Sequence, residues 1–295
     1  MENLPKIGFI GVGAMGEPMA RSLRRAGFAV TACAHRNREP LDRLAADGVA
    51  QAADPAGVAA ASSIVITCVP DAPQVEEALF GSRGALAGAA APATFIDMST
   101  ISPVATREFA TRINAAGHRF VDAPVSGGPA RANEGTLTIM VGADPLDFAH
   151  VEPVLRAMGT PHHLGAVGLG ETVKLVNQLM ISTIMLANAE ALTFAKKAGA
   201  DIEAVRKVIA SATGSNYLLE NWLPKTWFAG TFDGGFALDL LRKDLAAALD
   251  AARSMKLALP ASALAYQLYT LQSAEGDGSR DYSAVAKFYE RIAGE

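Results

Sequence analysis

The sequence predicts an α/β chain, in which a parallel sheet covered by helices is followed by an all-helical second part. Three observations predict it. Short apolar runs alternate with amphipathic segments from the N-terminus to about residue 165, the pattern of a sheet buried on both faces. From Gly170 onward apolar residues recur at 3.6 spacing and no convincing strand is visible. The chain also opens on Gly11-x-Gly13-x-x-Gly16, set between an apolar run and an amphipathic segment.

The elements follow in order. Ile7 to Ile10 reads as a strand, and Met19, Ala20 and Leu23 mark the buried face of a helix that ends at Gly27. Residues 28–33 read as the second strand and lead to His35 and Arg36. A helix over 40–47 and a short strand near 49–50 come next. Asp54-Pro55 has the form of a helix start, with Asp54 as its cap. The β-branched run 64–69 predicts a buried parallel strand, which Pro70-Asp71 ends. Then come a helix over 73–80, a strand over 94–98, a helix over 103–116 and a strand over 120–125 that runs into Ser126-Gly127-Gly128. A hairpin-like pair is expected after it, with 137–141 its clearest strand, then a helix over 145–158 and an edge strand over 162–164. The helical part reads as 171–198, 201–212, 237–255, 260–274 and 281–292. With 295 residues the chain is long for a single core. The expected domains are 1–165 and 166–295, with Gly165 to Gly170 between them.

The glycine pattern carries the first chemical expectation. Strand, tight turn, helix and second strand form one unit of a Rossmann-like, dinucleotide-binding fold. Gly11 permits the turn, Gly13 lets backbone approach a pyrophosphate, and Gly16 lets helix and strand pack closely. The loop Gly11, Val12, Gly13, Ala14, Met15, Gly16 is therefore the expected phosphate cradle, with the helix N-terminus behind it. Val69-Pro70 lies where ligands sit in such sheets, outside the carboxyl end of a strand. Twenty residues beyond Gly16 stands Arg36, between His35 and Asn37-Arg38, with no acid at the tip. An acid there would hold a ribose 2′-OH and an arginine a 2′-phosphate, so NADP(H) is expected over NAD(H).

Composition excludes several classes. Half the residues are hydrophobic, so the chain is not disordered. A net charge of −4 gives no electrostatic case for nucleic acid. Cys33 and Cys68 fall in strand-like runs and read as free thiols of a reducing cytosol. No signal-peptide layout is seen, and the expected location is cytoplasmic. The most apolar helix is interrupted by Lys174, Asn177 and Glu190, so no membrane span is expected. His118, His150, His162 and His163 show no metal-ligand spacing, and no metal is expected. A long helix apolar on most sides must be buried all round. One small domain offers little to cover it, so a homodimer or homotetramer is expected.

The second chemical signal is Gly168-Leu169-Gly170-Glu171-x-x-Lys174-x-x-Asn177. Lys174 and Asn177 are three apart and share a helix face, among Val173, Leu175, Val176, Leu179 and Met180. Such a lysine either snorkels to solvent or is desolvated, with its pKa lowered toward working pH so that it exchanges a proton. With this lysine the sequence resembles the β-hydroxyacid dehydrogenase family, which includes 3-hydroxyisobutyrate dehydrogenase, 2-hydroxy-3-oxopropionate (tartronate semialdehyde) reductase and glyoxylate/succinic semialdehyde reductase. The resemblance spans nearly the whole chain through GFIGVGAMGEPMA, FIDMSTISP, DAPVSGGPARANEGTLTIMVG, GLGETVKLVNQ, LRKDLAAALD and DYSAVAKFYE.

That resemblance implies a Rossmann-like domain plus a helical domain, and a set of roles. Lys174 matches the catalytic lysine and Asn177 its substrate-holding partner. Ser126, Gly127 and Gly128 match the segment that grips the substrate carboxylate, where a hydroxyl and successive backbone N–H groups make an anion nest. Thr100 and Lys243 match cofactor-contacting positions, and Phe236 is either a pocket wall or a core residue. The implied reaction passes hydride between a nicotinamide and the carbonyl carbon of a small semialdehyde, with Lys174 as acid in reduction and base in oxidation. Alternatives stay open, namely an imine reductase-like enzyme, which usually lacks the lysine and the Ser-Gly-Gly grip, or a non-catalytic nicotinamide-binding module. The substrate stays open among tartronate, methylmalonate and succinic semialdehydes and glyoxylate. Its far wall is expected from 211–222 and Phe236.

Overall fold

The computed structural model describes residues 4–90 and 92–294. The chain forms two compact units, Met1–Lys174 and Leu175–Glu295. In the first, strands β1 (Ile7–Ile10), β2 (Val30–Cys33), β3 (Ala50–Gln51), β4 (Ile64–Thr67), β5 (Thr94–Asp97) and β6 (Arg119–Asp122) form one sheet. Its order is β3-β2-β1-β4-β5-β6, and every pairing is parallel. The order reverses between β1 and β4, which makes a crevice at the carboxyl ends of those strands. β1 and β4 are buried at every residue, and this explains their continuous apolar runs in place of an alternation.

Helices α1 (Gly16–Arg25), α2 (Glu39–Ala46), α3 (Pro55–Ala60), α4 (Ala72–Phe80), α5 (Ala85–Gly88), α6 (Pro103–Ala115), α7 (Gly128–Glu134) and α8 (Pro145–Arg156) complete this unit. Two apolar clusters hold it. One gathers Ile7, Phe9, Met19, Leu23, Leu41 and Ile64, the other Val58, Val65, Val75, Phe95, Phe109 and Phe120. Ile64 and Val65 are neighbours in β4 yet belong to different clusters, because successive side chains leave opposite faces of a sheet. Asp54 caps α3 as expected, its carboxylate accepting from the Gly57 N–H at 2.9 Å.

After β6 the structure departs from the sequence expectation. The strand expected over 120–125 stops at Asp122, because Pro124 has no N–H to continue a ladder. Val125–Ser126 then forms β7 of a second sheet with β8 (Leu137–Val141) and β9 (Gly159–His163), in the order β7-β8-β9. β7 and β8 are antiparallel, as a hairpin requires, but α7 lies between them in place of a tight turn. β8 and β9 are parallel.

Helix α9 (Leu169–Lys197) runs from the first unit into the second, which contains α10 (Ile202–Ile209), α11 (Leu238–Ser254), α12 (Pro260–Gln272) and α13 (Ala286–Ile292). A π-helical turn at Leu218–Trp222 and a 3₁₀ turn at Tyr282–Val285 accompany them. The helix expected over 281–292 is thus split. Asp281 caps its first turn through the Ser283 N–H at 3.0 Å. The core of this unit gathers Met185, Leu192, Leu241, Leu245, Tyr269 and Tyr282. By length and composition α9 could cross a membrane, yet Met185, Ala189 and Leu192 lie in that core. It is not buried all round, since Val176, Met180 and Phe194 are 48%, 57% and 76% exposed.

Candidate active site

The strand register assembles one edge of the site. Ile10 pairs with Thr67, Thr67 with Asp97, and Asp97 with Asp122. The segments leaving these four strand ends are therefore neighbours. They are the glycine loop, Val69-Pro70, Ser99-Thr100 and the stretch from Ala123 to Ser126. Residues that the sequence scatters over more than a hundred positions leave one edge of one sheet.

In the glycine loop, Gly11 has φ 98°, and a Cβ on it would lie 2.2 Å from the Cys68 carbonyl oxygen. A Cβ on Gly16 would lie 1.9 Å from the Gly11 carbonyl oxygen. Both glycines hold turn, helix and strand in contact. Gly13 differs, because a Cβ there would meet no protein atom within 4 Å. Val12 is buried, Ala14 is exposed and Met15 is half-buried. Met15 is the cap residue of α1 and makes no side-chain capping bond. Its first-turn N–H groups suit an anion. Beyond β2, Arg36 is exposed. Nearby Arg38 donates to Gln51 at 2.9 Å and pairs with Asp42 at 3.9 Å.

The next two strand ends are braced by a buried carboxylate that the sequence reading passed over. Asp97 Oδ1 accepts from Thr67 Oγ1 at 2.8 Å and from the Ser99 N–H at 3.1 Å. Ser99 Oγ in turn accepts from the Val69 N–H at 3.0 Å. Val69, two residues beyond the end of β4, is thus tied to Ser99, the neighbour of the half-buried Thr100. Cys33 and Cys68 are free, and burial pushes their thiols up to about 11 and about 12. Neither is a nucleophile near neutral pH.

Ser126 ends β7 and is half-buried. Gly127 and Gly128 follow with φ 138° and 70°, a backbone path that side chains with a Cβ avoid. Two successive glycines leave this stretch of backbone without side-chain bulk.

Lys174 is 7% exposed, which excludes a snorkelling surface lysine. The start of its helix is held by Asp122. This carboxylate is fully buried and accepts from the Gly168 N–H at 2.7 Å and the Glu171 N–H at 2.9 Å. Burial pushes its pKa up to about 6, with the Asp97 charge adding to the rise, against the two amide bonds that pull it down. The unfolded chain loses this proton near 3.8 and the folded chain near 6. Between those values the folded state binds more protons, so its stability falls as pH rises through the window and is level above it. Relative to Asp122→Asn, the wild type is expected to lose up to about 3 kcal/mol between about pH 4 and pH 6.5. Denaturant unfolding of both proteins across that range is the check, and parallel curves would contradict it.

In the second unit a chain of polar contacts joins two further predicted residues. Asn177 Nδ2 donates to Gln178 Oε1 at 2.9 Å, and Gln178 Nε2 donates to Asp244 Oδ2 at 2.7 Å. Lys243 Nζ lies 2.7 Å from Asp244 Oδ1. Lys243 thus pairs directly with this buried carboxylate, and Asn177, expected on a different ligand, is linked to it through Gln178. Asp244 stands beside Lys243 in sequence, the only hint of its role. Phe236 is half-buried and edge-on to Tyr282, with ring centroids 6.1 Å apart. Its N–H donates to Asp281 Oδ2 at 3.2 Å, while Asp281 Oδ1 accepts from Trp222 Nε1 at 3.0 Å. Among the described residues no cluster of three His, Cys, Asp or Glu could hold a metal ion.

The chain is similar to known proteins along its whole length. Residues 6–174 match the family described as the NAD binding domain of 6-phosphogluconate dehydrogenase. Residues 168–289 match the NAD-binding family of NADP-dependent 3-hydroxyisobutyrate dehydrogenase. The chain is 40% identical over 295 residues to 2-(hydroxymethyl)glutarate dehydrogenase of Eubacterium barkeri, covering 100% of this chain and 98% of the relative. It is also 40% identical over 290 residues to 2-hydroxy-3-oxopropionate reductase of Escherichia coli (strain K12), covering 98% of each. A solved 3-hydroxyisobutyrate dehydrogenase of Mycobacterium tuberculosis, studied with L-serine, is similar with a TM-score of 0.89 at 32% identity, covering 97% of this chain and 99% of that one.

Proposed function

The chain belongs to the β-hydroxyacid dehydrogenase family, and from that premise we propose that it is an NADP(H)-dependent enzyme interconverting a small β-hydroxy acid and its semialdehyde. At the coarser level it is a nicotinamide-dependent dehydrogenase or reductase acting on CH–OH groups. The observation that carries the finer reading is the buried Lys174 on a helix anchored to the carboxyl edge of the sheet. A buried amine at this edge of the sheet is placed to trade a proton with a bound substrate.

In this reading Gly11, Val12, Gly13, Ala14, Met15 and Gly16 cradle the pyrophosphate, Arg36 takes the 2′-phosphate, and Val69, Pro70, Thr100 and Lys243 line the nicotinamide end. Bound nicotinamide supplies or accepts the hydride. Ser126, Gly127, Gly128 and Asn177 hold the substrate carboxylate, and Lys174 protonates the forming alkoxide or takes the proton in oxidation. Residues 1–165 thus carry most of the cofactor contacts and the carboxylate-gripping turn, and 166–295 carry Lys174, Asn177, Lys243 and the proposed subunit contacts. That the M. tuberculosis structure was studied with L-serine, itself a β-hydroxy acid, supports the substrate class. The absence of an acid beside Arg36 supports NADP(H).

One spectrophotometric screen tests the function: oxidation of NADPH with tartronate, methylmalonate and succinic semialdehydes and glyoxylate, with the reverse reaction on the hydroxy acids. Turnover of at least one semialdehyde is expected, and none would leave the nicotinamide-binding module as the better reading. With the best substrate, kcat/KM for NADPH is expected to exceed that for NADH by about tenfold, the worth of one charge-assisted phosphate contact. Arg36→Ala narrows the gap, and a preference for NADH reverses the cofactor assignment.

The proposed cell compartment is the cytoplasm, and the proposed assembly a homodimer or homotetramer. The apolar residues that α9 exposes, Val176, Met180 and Phe194, support the latter, since contiguous exposed apolar surface marks interfaces. Light scattering at micromolar concentration should return the mass of two or four chains, and the mass of one chain would remove the assembly.

A further inference from the structure

The Asp122 carboxylate belongs to none of the roles above, yet three segments converge on it. Its backbone closes the end of β6 against Gly142, with Asp122 N–H to Gly142 O at 3.1 Å and Gly142 N–H to Asp122 O at 2.8 Å. Its two oxygens accept from Gly168 and Glu171, one at each. Its surroundings leave no spare volume. A Cβ on Gly142 would lie 2.3 Å from Asp122 Oδ1, and one on Gly170 would lie 2.7 Å from Asp122 Oδ2 and 2.3 Å from the Met140 carbonyl oxygen. A further bond closes the same helical turn, from Thr172 Oγ1 to the Gly168 carbonyl at 2.6 Å.

Helix N-termini are usually capped by a side chain from their own first residues. The start of α9 takes its cap from a sheet strand 46 residues earlier. A local cap would stabilise the helix equally well while leaving it free to shift against the sheet. The tertiary cap adds a fixed position. Four residues after Asp122 comes Ser126, so one strand end sets both the carboxylate-gripping turn and the helix that bears the lysine.

We propose that Asp122 is a positioning residue for Lys174, pinning the first turn of α9 to the end of β6 so that the ammonium is held at a set place relative to the Ser126-Gly127-Gly128 turn. The proposal rests on the reading of Lys174 as the acid/base group. Charge-assisted bonds to two backbone amides hold the turn more firmly than a neutral acceptor would. In Asp122→Asn the carboxamide nitrogen faces one of the two N–H groups and that bond is lost.

The test compares wild type with Asp122→Asn and the milder Thr172→Val as NADP⁺-bound proteins. Three quantities are read: steady-state kinetics, amide hydrogen exchange over residues 168–171, and the rate at which acetic anhydride acylates Lys174, followed by peptide mass spectrometry. Asp122→Asn is expected to keep its NADPH affinity, exchange faster at Gly168 and Glu171, acylate Lys174 at a changed rate and lose about tenfold to a hundredfold in kcat with little change in KM. Thr172→Val should move the same quantities less. Faster exchange with kcat and Lys174 acylation at wild-type values overturns the positioning role, as does a loss explained wholly by weaker NADPH binding. Should Asp122→Asn fail to fold, the Thr172→Val comparison decides by the same criteria. If the wild type reduces no semialdehyde, the functional reading fails separately, and exchange with acylation alone still decides whether Asp122 places Lys174.

Discussion

Lys174→Ala is expected to lower turnover by at least about a hundredfold while NADPH binding survives, because loss of a positioned acid/base group costs about 10² to 10⁴ in rate. The buried setting of Lys174 sharpens the expectation. An ammonium with 7% of its residue exposed has few waters to relay a proton in its place. Lys174→Arg separates charge from proton transfer. A guanidinium keeps the positive charge but does not deprotonate at working pH, so it too should be slow if the proton matters and fast if only the charge does. Fluorescence titration with NADPH and single-turnover rates on the same proteins are the measurements. Near wild-type turnover in Lys174→Ala would show that this lysine is not the proton donor.

The glycine loop should divide into two classes of mutant. In Gly16→Ala the added methyl falls 1.9 Å from a backbone oxygen, and relief means moving turn against helix. Backbone displacement of this kind costs about 3 kcal/mol or more, and a large drop in melting temperature is expected. In Gly13→Ala the methyl meets no protein atom within 4 Å, so the melting temperature of the free protein should match wild type. If the pyrophosphate packs against Gly13, the methyl intrudes on it. Overpacking by one methyl costs about 1–3 kcal/mol, which is roughly five- to 150-fold in NADPH affinity. Thermal unfolding with and without NADPH reads both. Tight NADPH binding by Gly13→Ala would place the phosphates elsewhere.

Much of the site was legible because its residue types have narrow uses. Two glycines with side-chain clashes at 2.2 and 1.9 Å are required whatever the ligand, and a GxGxxG spacing announces them. Asp54 before Pro55 announced a capped helix, which the Gly57 N–H completes. The polar residues that were missed share one cause. Asp97, Asp122, Gln178 and Asp244 are buried polar residues inside otherwise apolar segments. Periodicity reads them as interruptions, and their meaning lies in partners 30, 46 and 66 positions away. Helices α5 and α7, of four and seven residues, were missed because they are too short for a 3.6 period to register.

The sequence by itself determined most element types and the glycine turn after β1, from hydrophobic period and backbone freedom, while the roles expected of the Ser-Gly-Gly turn and of Lys174 came from the family resemblance. Tertiary structure alone decided which strand ends are neighbours, that Lys174 is buried, and that one carboxylate on β6 holds the helix carrying it. The physical reason is that desolvation and hydrogen bonding act through space. A carboxylate acquires its role only when the fold removes its water and supplies particular N–H groups in exchange.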